Sequence, residues 1–265
     1  ETRITLPPQD QSRNGSLNPI DKPPQRLEDF LDSEDRITDP DAFTRLVLRY
    51  ARKGNTKDLV SLGISYYNGN NGLQPDEKKA MDLFERAGAL GDGGGYLFIA
   101  RMELNRSEMR PQSDELIRTN LKKSVDLQTP DAATQMYKLH VEGKHGFARD
   151  EKLAREWLEK SYRMGSQEGY ALLAEAHQEG RLGYPKNPAR AAELVLEGVD
   201  KGYEYLQGIA GKGFLHGVQG FSRDEKRGYD LLRQAAERGD MDADYELGAL
   251  YAQGDRKSTR LNSSH

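Results

Sequence analysis

Asp150–Gly165 reads DEKLAREWLEKSYRMG, and two periods of 37 residues later Asp224–Gly239 reads DEKRGYDLLRQAAERG. Each stretch opens on an aspartate that suits a helix N-cap, because its short side chain can accept a free backbone N–H. Apolar or small residues follow 4, 7 and 8 positions later, which is the spacing of one buried helical face. A glycine 15 positions after the aspartate suits a left-handed C-cap. The pattern predicts a short amphipathic helix that recurs along the chain.

The whole repeat holds two such helices. The N-cap position is occupied by Asp76, Ser113, Asp150, Asn187 and Asp224. A second motif, L-G-x-x-Y-x-x-G at Leu62–Gly69, recurs with the same 37-residue step and predicts another helix. Its aromatic position holds Tyr66, Glu103, His140, His177, Phe214 and Tyr251. Because short amphipathic helices need a partner face, we predict an all-α solenoid of antiparallel helix pairs.

The repeat pattern also defines the expected domain organisation. A half repeat from Asp39, five full repeats and a single last helix ending near Gly254 give a solenoid over residues 39–254. Residues 1–38 are rich in proline and polar side chains and are expected to be a flexible tail. Residues 255–265 read DRKSTRLNSSH, an in-frame translation of a common sequencing adapter, and are expected to be non-native. The natural protein is then expected to continue after Gly254.

Glycines recur in the loop between the two helices of a repeat. Gly143-x-x-Gly146-Phe147 is matched at Gly180, Gly183 and Tyr184, which predicts positive φ angles and an apolar residue tucked between layers. A phosphate-binding loop is not favoured, because no strand precedes the loop and no GK[ST] follows.

Composition excludes several functions. The formal charge of −4 and the pI of about 5.9 do not suit a nucleic-acid binder. The chain has no cysteine, which rules out disulfides and thiolate zinc sites. No apolar run approaches the length of about 18 residues that a transmembrane helix requires.

The two motifs together resemble the Sel1-like repeat family, which is related to tetratricopeptide arrays. The resemblance covers residues 39–254, and it is weakest in the second repeat, where Glu103 and Arg106 replace an aromatic residue and a glycine. It implies a right-handed α-solenoid that acts as a scaffold or adaptor. Similar bacterial members are often extracytoplasmic, some in exopolysaccharide secretion or envelope assembly. A periplasmic or otherwise extracytoplasmic location is therefore expected here. The chain starts at Glu1 and not at Met, as it would after signal cleavage, and a truncated reading frame would look the same.

No catalytic, cofactor or metal site is predicted. His140 and His177 share one position in successive repeats, about 10 Å apart, which is too far for one zinc ion. We interpret them as packing residues in place of the aromatic. No nucleophile with a base can be assigned, so we expect that the protein is not an enzyme. Glu103, Arg106 and Arg110 form either a functional polar notch or the result of neutral drift.

The predicted binding surface is the concave face lined by the first helix of each repeat. Residues just after the small position of that helix should point into the groove, where a peptide or helix of a partner protein can bind. These candidate residues are Ile64, Tyr67, Arg101, Leu104, Lys138, Val141, Glu175, Gln178, Lys212 and Leu215.

Two other functions stay open. A polysaccharide-binding module would need clustered exposed aromatics around Tyr67, and a hydrolase would need two carboxylates in a cleft. A missing helix after Gly254 would also leave an apolar face, through which the protein is expected to associate.

Overall fold

The computed structural model describes residue 31 and residues 36–51, 53–106 and 113–262. Within these ranges the chain forms twelve α-helices, and its only β contact is an isolated bridge between Leu31 and Ile37. The helices are α1 (Pro40–Ala51), α2 (Lys57–Asn68), α3 (Glu77–Ala89), α4 (Gly93–Arg106), α5 (Ser113–Asp126), α6 (Pro130–Glu142), α7 (Glu151–Met164), α8 (Gln167–Glu179), α9 (Pro188–Asp200), α10 (Glu204–His216), α11 (Glu225–Glu237) and α12 (Met241–Asn262). The predicted all-α class is confirmed.

The chain divides into two compact units, residues 1–80 and 81–265, and the division falls inside α3. In the first unit, Val47 and Leu59 are fully buried between α1 and α2. Ile37 is also buried, and its N–H donates to the carbonyl of Asn71 at 2.8 Å. Most of the predicted tail, residues 1–30 and 32–35, lies outside the described residues, but Ile37 within it packs on this unit.

The second unit is built from helix pairs that follow one another along the chain. α4 packs most closely on α5, α6 on α7, α8 on α9 and α10 on α11. The predicted buried stripe of the second helix is confirmed at the position eight residues after the cap, which is in the core of every repeat, whereas Trp157 and Leu231 one residue earlier are half-buried. The core positions are Phe84, Leu121, Leu158, Val195 and Leu232. One apolar cluster runs continuously from α6 to α10, so the pairs share a core as a repeat array requires.

Most of the predicted helix caps form. The side chains of Asp76, Asp150, Asn187 and Asp224 accept backbone N–H bonds from the first turn of the following helix. Ser113 differs, because its hydroxyl donates to Glu103 Oε2 at 2.7 Å and does not act as an acceptor cap. Glu103 is buried in the position of the aromatic and also binds Arg106 at 3.0 Å, so Ser113 helps to satisfy a buried carboxylate. Arg110 of the predicted notch lies outside the described residues.

The loops have the expected geometry. Both glycines of each loop adopt positive φ, and the residue before the second glycine does so as well, for example His145 at 55° and Gly146 at 72°. At Gly220 a Cβ atom would overlap the carbonyl oxygen of Pro188, so the loop there also needs glycine for space. The apolar residue that follows, such as Phe147 or Tyr184, is buried between successive repeats.

Arg155, Glu159 and Tyr184 form a polar contact between repeats, which we call the Arg155 cluster. Arg155 Nε donates to Glu159 Oε1 at 3.1 Å, and its guanidinium lies 3.9 Å from the Tyr184 ring centroid. The Tyr184 hydroxyl donates to the same carboxylate oxygen at 2.7 Å. This hydrogen bond, followed by those from Arg155, lowers the pKa of Glu159, and burial raises the pKa of Tyr184. The cluster joins α7 to the loop of the next repeat.

The last helix is longer than expected. α12 continues to Asn262, whereas the repeat pattern predicted an end near Gly254. In the four loops that begin at Gly69, Gly143, Gly180 and Gly217, a second glycine and a buried apolar residue turn the chain back, and residues 255–258 (Asp-Arg-Lys-Ser) supply neither.

Candidate partner-binding groove

A groove of about 840 Å³ lies between α8 and α10 in the second unit. Its floor is apolar and includes Ala174, Val195 and Ile209. The groove exists because small residues on α8, such as Ala171 and Ala174, leave space that larger side chains would fill. A cavity of this size with an apolar floor and polar rim is typical of a binding site.

The walls of the groove carry charge on both sides. On the α8 side, Glu175 and Glu179 both bind Arg181, at 2.6 and 2.8 Å. On the α10 side, Lys212 lies 3.7 Å from Asp242 of α12, and His216 lies 3.8 Å from Glu246. The carboxylates around the groove are Glu168, Glu175, Glu179, Asp242 and Glu246, and the permanent cations that they contact are Lys138, Arg181 and Lys212. The surroundings of the groove are therefore net negative.

Three of the candidate residues from the sequence lie together in this groove. Glu175 and Gln178 line it from α8, and Lys212 lines it from α10. The Oε1 atom of Gln178 is buried and has no hydrogen-bond partner. A buried acceptor without a partner is costly, so Gln178 is an energetically unfavourable feature of this wall.

The neighbouring His177 is a packing residue. It packs on Tyr184 with ring centroids 4.5 Å apart, and burial, together with the charges of Arg190 and Arg155, lowers its pKa. In the preceding repeat, His140 instead contacts the carbonyl of Ala148 through Nδ1 at 3.1 Å and meets Phe147 edge to face. Both histidines occupy the aromatic packing position, as the sequence predicted.

Other candidate residues lie elsewhere. Ile64 and Tyr67 are half-buried on α2, in the first unit. Arg101 places its guanidinium 5.3 Å from the Phe98 ring, and Leu104 packs on the core of α4 to α6. These four residues therefore do not line the groove between α8 and α10.

The remaining candidates lie on α6 and α10. Lys138 bridges α6 to Glu168 of α8 at 2.7 Å, and Val141 packs on the apolar cluster of α6 to α10.

The prediction for Leu215 needs correction. Leu215 is only 7% exposed and packs with Leu232 and Leu247, so it belongs to the core and not to the groove. The reason is local packing, since Gly211 and Gly228 let the backbones of α10 and α11 approach closely and draw Leu215 inward.

Tyr205 is the main groove residue that the sequence reasoning missed. It lines the groove and is 51% exposed. The sequence marks Tyr205 as a break in the repeat, because the positions 37 residues before and after Tyr205 hold Glu168 and Asp242. An acid is thus replaced by an aromatic ring at this one site.

The described ranges hold neither a metal-binding cluster nor a membrane-spanning helix. No group of three or more potential metal ligands occurs in the parts of the chain that the structure describes. None of the helices described is both long enough and apolar enough to cross a bilayer.

The repeated helix pairs define a class of helical-repeat protein, and the comparisons identify the family. The profile of the Sel1 repeat matches residues 59–92, 138–166, 167–203 and 202–240, just over half of the chain. The chain therefore belongs to the Sel1 repeat family. The unmatched residues 93–137 contain Glu103, where the pattern departs most. A comparison with curated proteins gives no match.

Solved structures agree with this fold. A Sel1 repeat protein from Oxalobacter formigenes is 23% identical, with 81% of this chain and 86% of that chain covered and a TM-score of 0.63. An immunity protein from Pseudomonas aeruginosa is 20% identical, with 79% of each chain covered and a TM-score of 0.56.

A third structure is a protective antigen of uropathogenic Escherichia coli with an SLR fold. It is 23% identical and has a TM-score of 0.54, with 82% of this chain and 46% of that chain covered. This chain thus spans about half of that antigen. The likenesses establish a Sel1 repeat solenoid fold, and proteins with this repeat are generally protein-interaction scaffolds.

Proposed function

We propose that this protein is a non-catalytic scaffold that binds a segment of a partner protein in the groove between α8 and α10. The observation that carries the proposal is the groove itself, which combines an apolar floor with charged walls. Apolar anchors give a bound peptide its affinity, and charges at the rim select its sequence. Arg101 and Lys138, together with Leu104 and Val141, extend the same helix face beyond the groove toward α4 and stay candidates for further contacts.

The similar structures support a binding role. One of them is an immunity protein from Pseudomonas aeruginosa. The envelope or exopolysaccharide-secretion role and the periplasmic location remain part of this proposal, supported by the family resemblance alone.

A polysaccharide-binding role is the second candidate, and Tyr205 is the observation in its favour because an exposed ring can stack on a sugar. The rest of the lining is aliphatic, amide or charged, and its other large aromatic ring, Phe221, is buried. The carboxylates of Glu175 and Glu179 share one guanidinium, which is the arrangement of an ion-pair cluster. A protein segment therefore suits the groove better than a sugar chain or a hydrolysis substrate does.

Affinity capture with a blocked groove tests the proposal. Ala171→Trp would fill the groove from α8, whereas Ala89→Trp adds the same side chain at an exposed position outside it. Both variants and the unchanged protein serve as baits in cells of the source organism, with quantitative mass spectrometry as the readout. We expect the unchanged bait and the Ala89→Trp bait to enrich the same proteins. These proteins should be absent when the Ala171→Trp variant is the bait. An identical set for all three baits would contradict the proposal, as would glycan captured without protein.

A further inference from the structure

A lysine–carboxylate bridge joins the first helices of successive repeats at two places. Lys138 of α6 lies 2.7 Å from Glu168 of α8, and Lys212 of α10 lies 3.7 Å from Asp242 of α12. The two lysines are two periods apart, and so are the two carboxylates. The bridge thus recurs at one position of the repeat, whereas Arg101 of α4 and Asp131 of α6 hold the same charges there without forming an ion pair.

The equivalent bridge between α8 and α10 is missing. The lysine position holds Glu175 and the carboxylate position holds Tyr205, so the pair is an acid and a phenol. Both side chains line the groove and are about half exposed, Glu175 at 48% and Tyr205 at 51%. The groove thus lies where the repeat's own ion pair is absent.

A second departure lies one helical turn further along α8. The position that holds Gln178 is apolar in the other repeats, with Tyr67, Leu104, Val141 and Leu215. Gln178 brings an acceptor whose oxygen has no partner within the protein. On α8, Glu175 therefore adds an exposed carboxylate where the repeat has a cation, and Gln178 places an amide where the repeat has an apolar side chain.

Arg181 indicates which chemical group these acceptors suit. Its guanidinium binds the carboxylates of Glu175 and Glu179 together, although the side chain of Arg181 remains 46% exposed. The carboxylates are thus already in a geometry that a guanidinium can bridge. One cation leaves this pair of acids with a residual negative charge.

We infer that the segment bound in this groove is both basic and apolar. It is a peptide whose lysine or arginine pairs with Glu175 beside the Tyr205 ring and whose apolar residues pack on Ala174 and Ile209. The inference rests on the proposed function and specifies the partner's chemistry. The partner's cation replaces the lysine that the repeat lacks at position 175. The ring of Tyr205 adds a cation–π contact.

A random dodecapeptide library displayed on phage is the probe. It is selected on the full chain at low salt, and selected peptides are then synthesised for fluorescence-polarisation binding. Glu175→Lys removes the acceptor and Tyr205→Ala removes the ring, whereas Glu156→Lys makes the same charge change at an exposed residue of α7. The double variant with Glu175→Lys and Tyr205→Glu rebuilds the bridge seen at Lys138 and Glu168. Circular dichroism and thermal melting of each variant check the fold.

We expect the selected peptides to carry Lys or Arg next to aliphatic residues. Glu175→Lys should weaken binding at least tenfold, and Tyr205→Ala about threefold, since a cation–π contact at an exposed site is weak. Glu156→Lys should leave the affinity unchanged, and the rebuilt bridge should abolish binding with no loss of thermal stability. Added salt should weaken binding of the unchanged protein.

Other outcomes of the peptide selection distinguish the proposed basic specificity from the proposed groove. One outcome would overturn the basic specificity and leave the groove as a binding site. In that outcome the selected peptides carry no basic residue and bind Glu175→Lys normally, but they do not bind the rebuilt-bridge variant. Peptides that bind the rebuilt-bridge variant as well as the unchanged protein would overturn the groove itself. The same conclusion would follow if no peptide were enriched on the unchanged protein.

Discussion

The Arg155 cluster gives a quantitative test of how adjacent repeats are held together. In Arg155→Ala the protein loses the hydrogen bond to Glu159 at 3.1 Å, the contact with the Tyr184 ring at 3.9 Å and a long hydrogen bond to the Gly183 carbonyl at 3.4 Å. The side chain of Arg155 is 40% exposed, so solvent screening reduces each of these contributions.

The magnitude follows from these contacts. Because the guanidinium is exposed, the ion pair and the long hydrogen bond contribute little, and the close cation–π contact is the largest of the three. For a protein of this size, we expect their combined loss to lower the melting temperature by about 4 °C. Tyr184 retains its hydrogen bond to Glu159, which limits the loss.

Arg118 offers a matched comparison in the preceding repeat. It donates to the Gly146 carbonyl at 3.2 Å and to Glu115 at 3.1 Å, but its guanidinium lies 5.7 Å from the Phe147 ring. Because this ring contact is longer, Arg118→Ala should lower the melting temperature by about half as much as Arg155→Ala does.

Two assays measure the effect. Urea unfolding gives the change in the free energy of unfolding, and hydrogen exchange reports the loop locally, through the Tyr184 amide that donates to the Arg181 carbonyl at 3.0 Å. We expect faster exchange at this amide in Arg155→Ala, and only partial recovery in Arg155→Lys, because an ammonium lacks the planar fork. Equal losses for the two alanine variants, or unchanged exchange at Tyr184, would refute the reasoning.

Three further predictions concern single positions. Gln128 adopts a φ of 59° where the other repeats have glycine, so Gln128→Gly should raise the free energy of unfolding by about 1 kcal/mol. Gly202 has a φ of 81° with open space around it, so Gly202→Ala should lower the free energy of unfolding by about the same amount. Urea unfolding measures both changes. Asp150→Ala removes an N-cap bonded to two backbone N–H groups and should cost about 1 kcal/mol in the same assay, with a loss below about 0.3 kcal/mol counting against the cap. Burial lowers the pKa of His177, so the unfolded chain takes up a proton first and the free energy of unfolding falls as the pH drops below about 6.5. His177→Phe should therefore be less sensitive to acid between about pH 7.5 and 5.5, and parallel pH curves for the two proteins would contradict this assignment.

The periodic features of the fold could be predicted from the sequence because they depend on local chemistry. Asp150 at the cap and Leu158 on the buried face need only short-range spacing to be recognised, and the structure has both as expected. The glycines of the loops are equally local, since positive φ is a property of the residue itself.

The groove could be predicted only in part because it depends on differences between repeats. Glu175 and Lys212 could be assigned to the groove from their positions on the helix face alone. The role of Tyr205 could be recognised only by comparing one bridge position across α6, α8 and α10. Leu215 has the same helix phase as Gln178 and is nevertheless buried, because two glycines let α10 and α11 approach closely. Side-chain phase alone does not specify such backbone distances.

Site-specific photo-crosslinking tests the central claim most directly. A benzoyl-phenylalanine replaces Tyr205 in the groove or Tyr245, which is 78% exposed on α12 and does not line the groove. After irradiation in cells of the source organism, the account predicts a discrete protein adduct from position 205 that is absent from position 245 and is lost when Ala171→Trp is added. Adducts from position 245 alone, or an adduct at 205 that persists with the groove filled, would contradict it.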